Sequence, residues 1–107
     1  MEVEMRILKF IVDGQSIKKD PSCDFEGLVP GTEGYLKAQI QFSEEWKGCK
    51  KAAIFGSVGR EYAAPLVNGM CEIPKKALTW RTFSVKVAGI RDGYRITTNK
   101  TEVLQNG

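Results

Sequence analysis

The sequence predicts an all-β fold: one small β-sandwich of the Ig-like kind, or a small barrel, built from about seven to eight short antiparallel strands with one short helical turn. Three observations lead there. Apolar residues alternate with polar ones in short runs. Turn signals such as Asp13-Gly14, Asn68-Gly69 and Asp92-Gly93 break the chain at close intervals. No stretch sustains a helical period.

The elements follow in order. Residues 5–12 form the first strand candidate, closed by Asp13-Gly14, a strong hairpin signal. Residues 18–34 are broken by Pro21, Gly27, Pro30 and Gly31, which predicts a long irregular loop with Phe25 and Leu28 as anchors. Leu36, Ala38, Ile40 and Phe42 then share one strand face, with Lys37, Gln39 and Gln41 on the other. One side meets a core and the other meets water. Phe42-Ser43-Glu44-Glu45-Trp46-Lys47-Gly48 reads as a structural corner: Ser43 caps one helical turn, Trp46 folds under the sheet, and Gly48 releases the backbone. Residues 50–56 and 61–66 make a hairpin around Ser57-Val58-Gly59-Arg60, and residues 70–73 a short strand stopped by Pro74. A brief helical stretch over 74–78 starts with Pro74, where the missing N–H costs nothing. Phe83, Val85 and Val87 mark the clearest strand, followed by a hairpin through Arg91-Asp92-Gly93 into 94–98. Val103 and Leu104 add a final strand at the edge, and residues 105–107 read as a tail.

Composition narrows the function. A chain of 107 residues suits a single domain spanning 1–107, near the size at which a two-layer core becomes self-sufficient. No segment is long and apolar enough to span a bilayer, and the acidic start Met1-Glu2-Val3-Glu4 is not that of a signal peptide, so folding in the cytoplasm is expected, with no membrane partner. A net charge of +3 biases the surface only weakly towards anions. Cys23, Cys49 and Cys71 are an odd number without a C-x-x-C spacing, which predicts reduced thiols used as small apolar fillers.

The order F-S-E-E-W corner, apolar strand Ala52-Ala53-Ile54-Phe55, Cys71-Glu72-Ile73-Pro74 and closing Ile96-Thr97-Thr98-Asn99 resembles a small module of phage and prophage structural proteins of Gram-positive bacteria. The module is similar to the N-terminal domain of baseplate upper proteins and to short head-fibre or capsid-accessory proteins. The resemblance covers roughly residues 33–104. It implies a non-enzymatic virion protein without cofactor, assembled in the host cytoplasm onto capsid or tail proteins as a trimer or larger multimer. In longer proteins of this kind a linker to receptor-binding parts starts where residues 105–107 lie.

The residues themselves argue against chemistry. The chain has no histidine, which removes the Ser-His-Asp and Cys-His arrangements and the usual zinc sites. Gly31-Thr32-Glu33-Gly34 and Gly56-Ser57-Val58-Gly59 are turns and match no phosphate-loop spacing. A Ser43–Lys47 pair is weighed as nucleophile and base, and read instead as a turn cap beside a surface lysine. Residues 20–27 place oxygen ligands at alternate positions, but Phe25 stands where a calcium loop needs glycine. Glu44 and Glu45 are adjacent on one turn and point apart, which suits a helix start better than a glycosidase pair. Arg81, Lys86, Arg91, Arg95 and Lys100, with Trp80 and Tyr94, would make a nucleic-acid platform if grouped on one face; Glu72, Asp92 and Glu102 dilute them, so a nucleic-acid-binding small barrel is a minor alternative, third in order. A carbohydrate- or host-surface-binding module is the main alternative, and it needs Tyr62, Trp80 or Tyr94 exposed together.

Overall fold

The structure, a computed structural model, describes residues 5–106. Nine strands are found among them: β1 Arg6–Asp13, β2 Ser16–Lys19, β3 Leu36–Phe42, β4 Lys50–Ser57, β5 Arg60–Pro65, β6 Met70–Glu72, β7 Thr82–Arg91, β8 Tyr94–Thr97 and β9 Thr101–Leu104. Short 3-10 turns at Glu44–Trp46 and Lys75–Leu78 complete the elements. One sheet has the order β2-β1-β3-β6. In the other, β5-β4-β7 is followed by β8 and β9, which share the remaining edge of β7 end to end.

The two sheets pack as a sandwich, not as a closed barrel, because alternation gives each sheet one apolar face. Leu8, Phe10 and Val12 of β1 and Leu36, Ala38 and Ile40 of β3 meet Ala53 and Phe55 of β4, Phe83, Val85 and Val87 of β7, and Val103 of β9. Every one of these is buried, and each large side chain contributes roughly 1.5–3 kcal/mol by leaving water. Leu28 is buried and Phe25 packs against the core, so both loop anchors hold as expected. Pro74 precedes the second 3-10 turn, and its carbonyl accepts from the Ala77 N–H at 3.0 Å.

Four features differ from the sequence reading. The count is nine strands and two turns, where seven to eight strands and one turn were expected. β1 and β3 run parallel, Arg6 opposite Leu36 through Val12 opposite Phe42, because β2 and the following loop carry the chain back to its starting end. Residues 18 and 19 belong to β2, a strand with a single buried residue, Ile17, too short to register as alternation. The loop after it continues along the edge of β1: the Asp20 N–H donates to Lys9 O, Arg6 Nη2 donates to Glu26 O at 2.6 Å, and the Cys23 thiol sulfur accepts from the Lys9 N–H. Finally, Gln105 is no tail residue. It is buried, its Nε2 donates to Trp80 O at 2.7 Å, and the Asn106 N–H donates to Leu28 O at 2.7 Å. Gly107, the end of the expected tail, lies outside the described residues.

The corner between β3 and β4 joins the sheets. Trp46 is fully buried; its Nε1–H donates to Gly14 O at 2.7 Å, and its ring lies 5.2 Å from that of Phe42. Ser43 does not cap the turn as expected: its hydroxyl accepts from the Gly14 N–H at 2.9 Å, so it ties the corner to the β1–β2 hairpin. Gly48, at φ +78°, takes the left-handed conformation that lets the chain turn into β4. On the opposite sheet, Gly89 leaves the space the indole needs. A Cβ there would lie 2.8 Å from Trp46 Cζ3. The β7–β8 hairpin closes over the outside, with Tyr94 OH donating to Glu45 O at 2.5 Å and Arg91 Nη1 donating to Lys47 O at 2.7 Å.

The residues Thr98 and Asn99 part β8 from β9 and stitch the sandwich side. Thr98 Oγ1 accepts from the Val87 N–H at 3.0 Å, replacing a ladder bond, while Asn99 Oδ1 accepts from the Ile17 N–H at 2.9 Å. Trp46→Ala should therefore cost about 3–5 kcal/mol in urea unfolding, the range for emptying a large aromatic site. Gly89→Ala should cost about 1–3 kcal/mol by overpacking the same contact, and the double variant should cost less than the sum of the two.

Candidate functional site

The residues weighed for chemistry are scattered or already engaged. Asp20 Oδ1 accepts from the Ser22 N–H and hydroxyl, and Asp24 Oδ1 from the Glu26 N–H, so these carboxylates fold back on their own loop instead of converging on an ion. Those Ser22 contacts hold the Asp20 carboxyl below its usual range. Glu45 is likewise lowered, by its own backbone N–H and then by the Ser43 hydroxyl. No group of three or more metal-binding side chains occurs among the described residues.

The basic residues form no stripe. Lys86 pairs with Glu61 at 2.9 Å, Arg91 belongs to the corner, and the Arg81 guanidinium lies 5.7 Å over the Trp80 ring. The aromatics separate in the same way. Tyr62 packs against the core from the inner face of β5, Tyr94 holds the corner with Arg91 over its ring, and of these three Trp80 is the exposed one. Partial desolvation raises the Tyr94 phenol, which keeps it protonated as the donor to Glu45 O.

What the fold does present is surface. The outward side chains of β3, Lys37, Gln39 and Gln41, are polar as alternation predicts, while those of β1 set Lys9 between Ile7 and Ile11. The opposite face is different. Ala52, Ile54 and Gly56 of β4, Ala63 and Pro65 of β5, and Ala88 and Ile90 of β7 give the five-stranded sheet an exterior rich in small and apolar residues, crossed at Ile54 by the Lys86–Glu61 ion pair. Near the β4–β5 turn this face dips into an open groove of about 530 Å³ lined by Gly56, Arg60, Ser84, Lys100 and Glu102.

Strand edges can be assigned from register. The Leu66 N–H donates to Lys51 O, so along this antiparallel pair Ala53–Ala64, Phe55–Tyr62 and Ser57–Arg60 exchange main-chain bonds. The turn Val58-Gly59, with both residues at positive φ, demands the same closing pair. The N–H and C=O groups of Glu61 and Ala63 therefore point away from the sheet, as does the carbonyl of Pro65. No hydrogen bond reaches them among the described residues. β9 obeys the same logic: the Gln105 N–H donates to Arg81 O, so Val103 bonds to β7 and its side chain is core, while Glu102 and Leu104 face outward. The edge expected at Val103 and Leu104 thus belongs to Leu104 and Glu102, and the loop at Leu28 already takes the next N–H. β5 is a further open edge, marked in the sequence by Pro65, since proline within a strand is confined to edges and bulges.

No family model, curated protein or solved structure matches the chain. All three cysteines are free thiols, with Cys49 buried and Cys23 and Cys71 half-buried. Burial pushes the Cys71 thiol from 9.0 up to about 11. Its alkylation in the native state should therefore rise about tenfold per pH unit until near pH 11. Because the folded value lies above the unfolded one, the stability held by the neutral thiol is complete below pH 9 and is lost as pH climbs from 9 through 11. A Cys71→Ala variant should lose that slope, read from unfolding curves across the same range.

Proposed function

We propose that this protein is a phage or prophage virion component, a rigid β-sandwich that acts without catalysis by assembling onto capsid, head-fibre or baseplate proteins. One observation carries the reading. The residues that bear the resemblance are those that make the sandwich stiff: Phe42 and Trp46 form the corner, Gly48 turns it, Pro74 sets the step into the second 3-10 turn, and Thr98-Asn99 stitches one sheet to the other. A motif that holds shape suits a module whose work is to present surfaces, and the small-residue face and the β5 edge are such surfaces. Its setting is the particle, built in the bacterial cytoplasm, with several copies following the particle's symmetry.

The carbohydrate- or host-surface-binding reading draws on the polar groove beside Gly56 and on exposed Trp80. Both readings meet one experiment. Particles purified on a density gradient should carry the chain at a constant copy number, and the free protein should show no binding to a glycan array. A chain that stays in the soluble fraction while binding glycans in a Trp80-dependent way would overturn the virion reading in favour of the alternative.

A further inference from the structure

The exposed edge of β5 is short and has a particular pattern of donors and acceptors. From the Val58-Gly59 turn through Pro65 it offers the N–H and C=O of Glu61 and of Ala63 and the carbonyl of Pro65, two donors and three acceptors. We propose that β5 pairs antiparallel with β5 of a second copy of this chain, about a two-fold axis through Tyr62, so that two five-stranded sheets become one continuous sheet.

The register follows from counting. Centred on Tyr62, Glu61 lies opposite the partner's Ala63 and Ala63 opposite the partner's Glu61, four bonds form, and the carbonyl left over is that of exposed Pro65, beyond the ladder and open to water. Centred on Ala63, the same edge would also form four bonds, but the Glu61 carbonyl would face the partner's proline ring inside the ladder and meet no N–H. Proline therefore selects the first register and stops the ladder beyond it. A longer foreign strand would add a single bond, to the Pro65 carbonyl, since the turn and the proline bound the edge on both sides. Tyr62 supports the same axis. It is half-buried, has no hydrogen-bond partner among the described residues, and would face the partner's Tyr62 across a non-hydrogen-bonded position, where cross-strand aromatic pairs contribute. On the outer face the seam is flanked by Ala63 and by Glu61, whose carboxylate is drawn back over its own sheet by Lys86 at 2.9 Å.

The seam stands on strand register and is independent of the viral reading. It is isologous, so it builds pairs, and a larger assembly would be made of such pairs. Four main-chain bonds and one aromatic pair make a small seam, so association is expected with a dissociation constant on the order of 0.1 mM.

Sedimentation equilibrium of the full chain from about 10 μM to about 1 mM should show a monomer–dimer equilibrium in that range. Ala63→Pro is the discriminating variant: the Ala63 N–H points away from β4, so the internal ladder survives, as it does at native Pro65 two residues on. It should weaken dimerisation by about tenfold or more with the melting temperature little changed. Tyr62→Cys, oxidised at high concentration, should give a dimer whose mapped disulfide joins the two copies at position 62. A wild-type chain monomeric at about 1 mM, or a dimer equally strong in Ala63→Pro, would overturn the seam. Should Ala63→Pro fail to fold, the Tyr62→Cys disulfide decides, and its absence from an otherwise dimeric chain rejects the axis.

Discussion

The structure depends on one side chain held from both layers. The indole of Trp46 hangs from the β1–β2 hairpin through its bond to Gly14 O and lies against β7 at Gly89, so the spacing of the two sheets at that end is the thickness of a ring. Everything around it serves to keep the ring there. Ser43 fixes the start of the corner to the Gly14 N–H, Gly48 turns the chain out of it, and Tyr94 and Arg91 take the carbonyls of Glu45 and Lys47 that a 3-10 turn leaves unpaired. A buried indole N–H without an acceptor would cost about 1–3 kcal/mol, and here a hairpin carbonyl meets it.

Much of this was legible in the sequence, and the limits have physical reasons. Strands with three or more inward apolar residues, such as β1, β3 and β7, announce themselves by alternation, and the corner announces itself by a tryptophan between a strand end and a glycine. β2 does not, because one buried residue has no period. Parallel pairing of β1 and β3 is invisible for another reason: alternation states which face is buried and is silent about which strand lies alongside. Gly89 falls on the inward positions after Phe83, Val85 and Val87, where a larger residue would be expected, and that gap was the trace of Trp46 filling it from the other layer. Gln105 was read as tail because glutamine is usually exposed, yet a buried amide is stable where main-chain carbonyls, here those of Trp80 and Leu78, receive its hydrogens.

The surfaces were harder to read than the core. Which edge is open follows from hydrogen-bond parity, and parity requires the register that only the folded pairing supplies. Val103 illustrates this, being both main-chain bonded and buried, while its neighbours Glu102 and Leu104 face out. The same parity explains the exterior of the five-stranded sheet. Ala52, Ile54 and Ala63 occupy outward positions on the five-stranded sheet, so its exterior is apolar between the Lys86–Glu61 pair and the sheet edge.

The stitch at Asn99 bears on how the chain reaches this state. Gln15 and Ile17 receive their partners from Thr97 and Asn99, 82 residues further along. A nascent chain therefore forms β1 and β2 long before the segment that seals their outer edge leaves the ribosome. Until then β2 is an unguarded template, and closure must wait for contacts between the two ends of the sequence, which places folding among the slow, non-local β topologies of roughly milliseconds to seconds. Synthesis itself sets the order of assembly: the hairpin waits, and the last strands lock it.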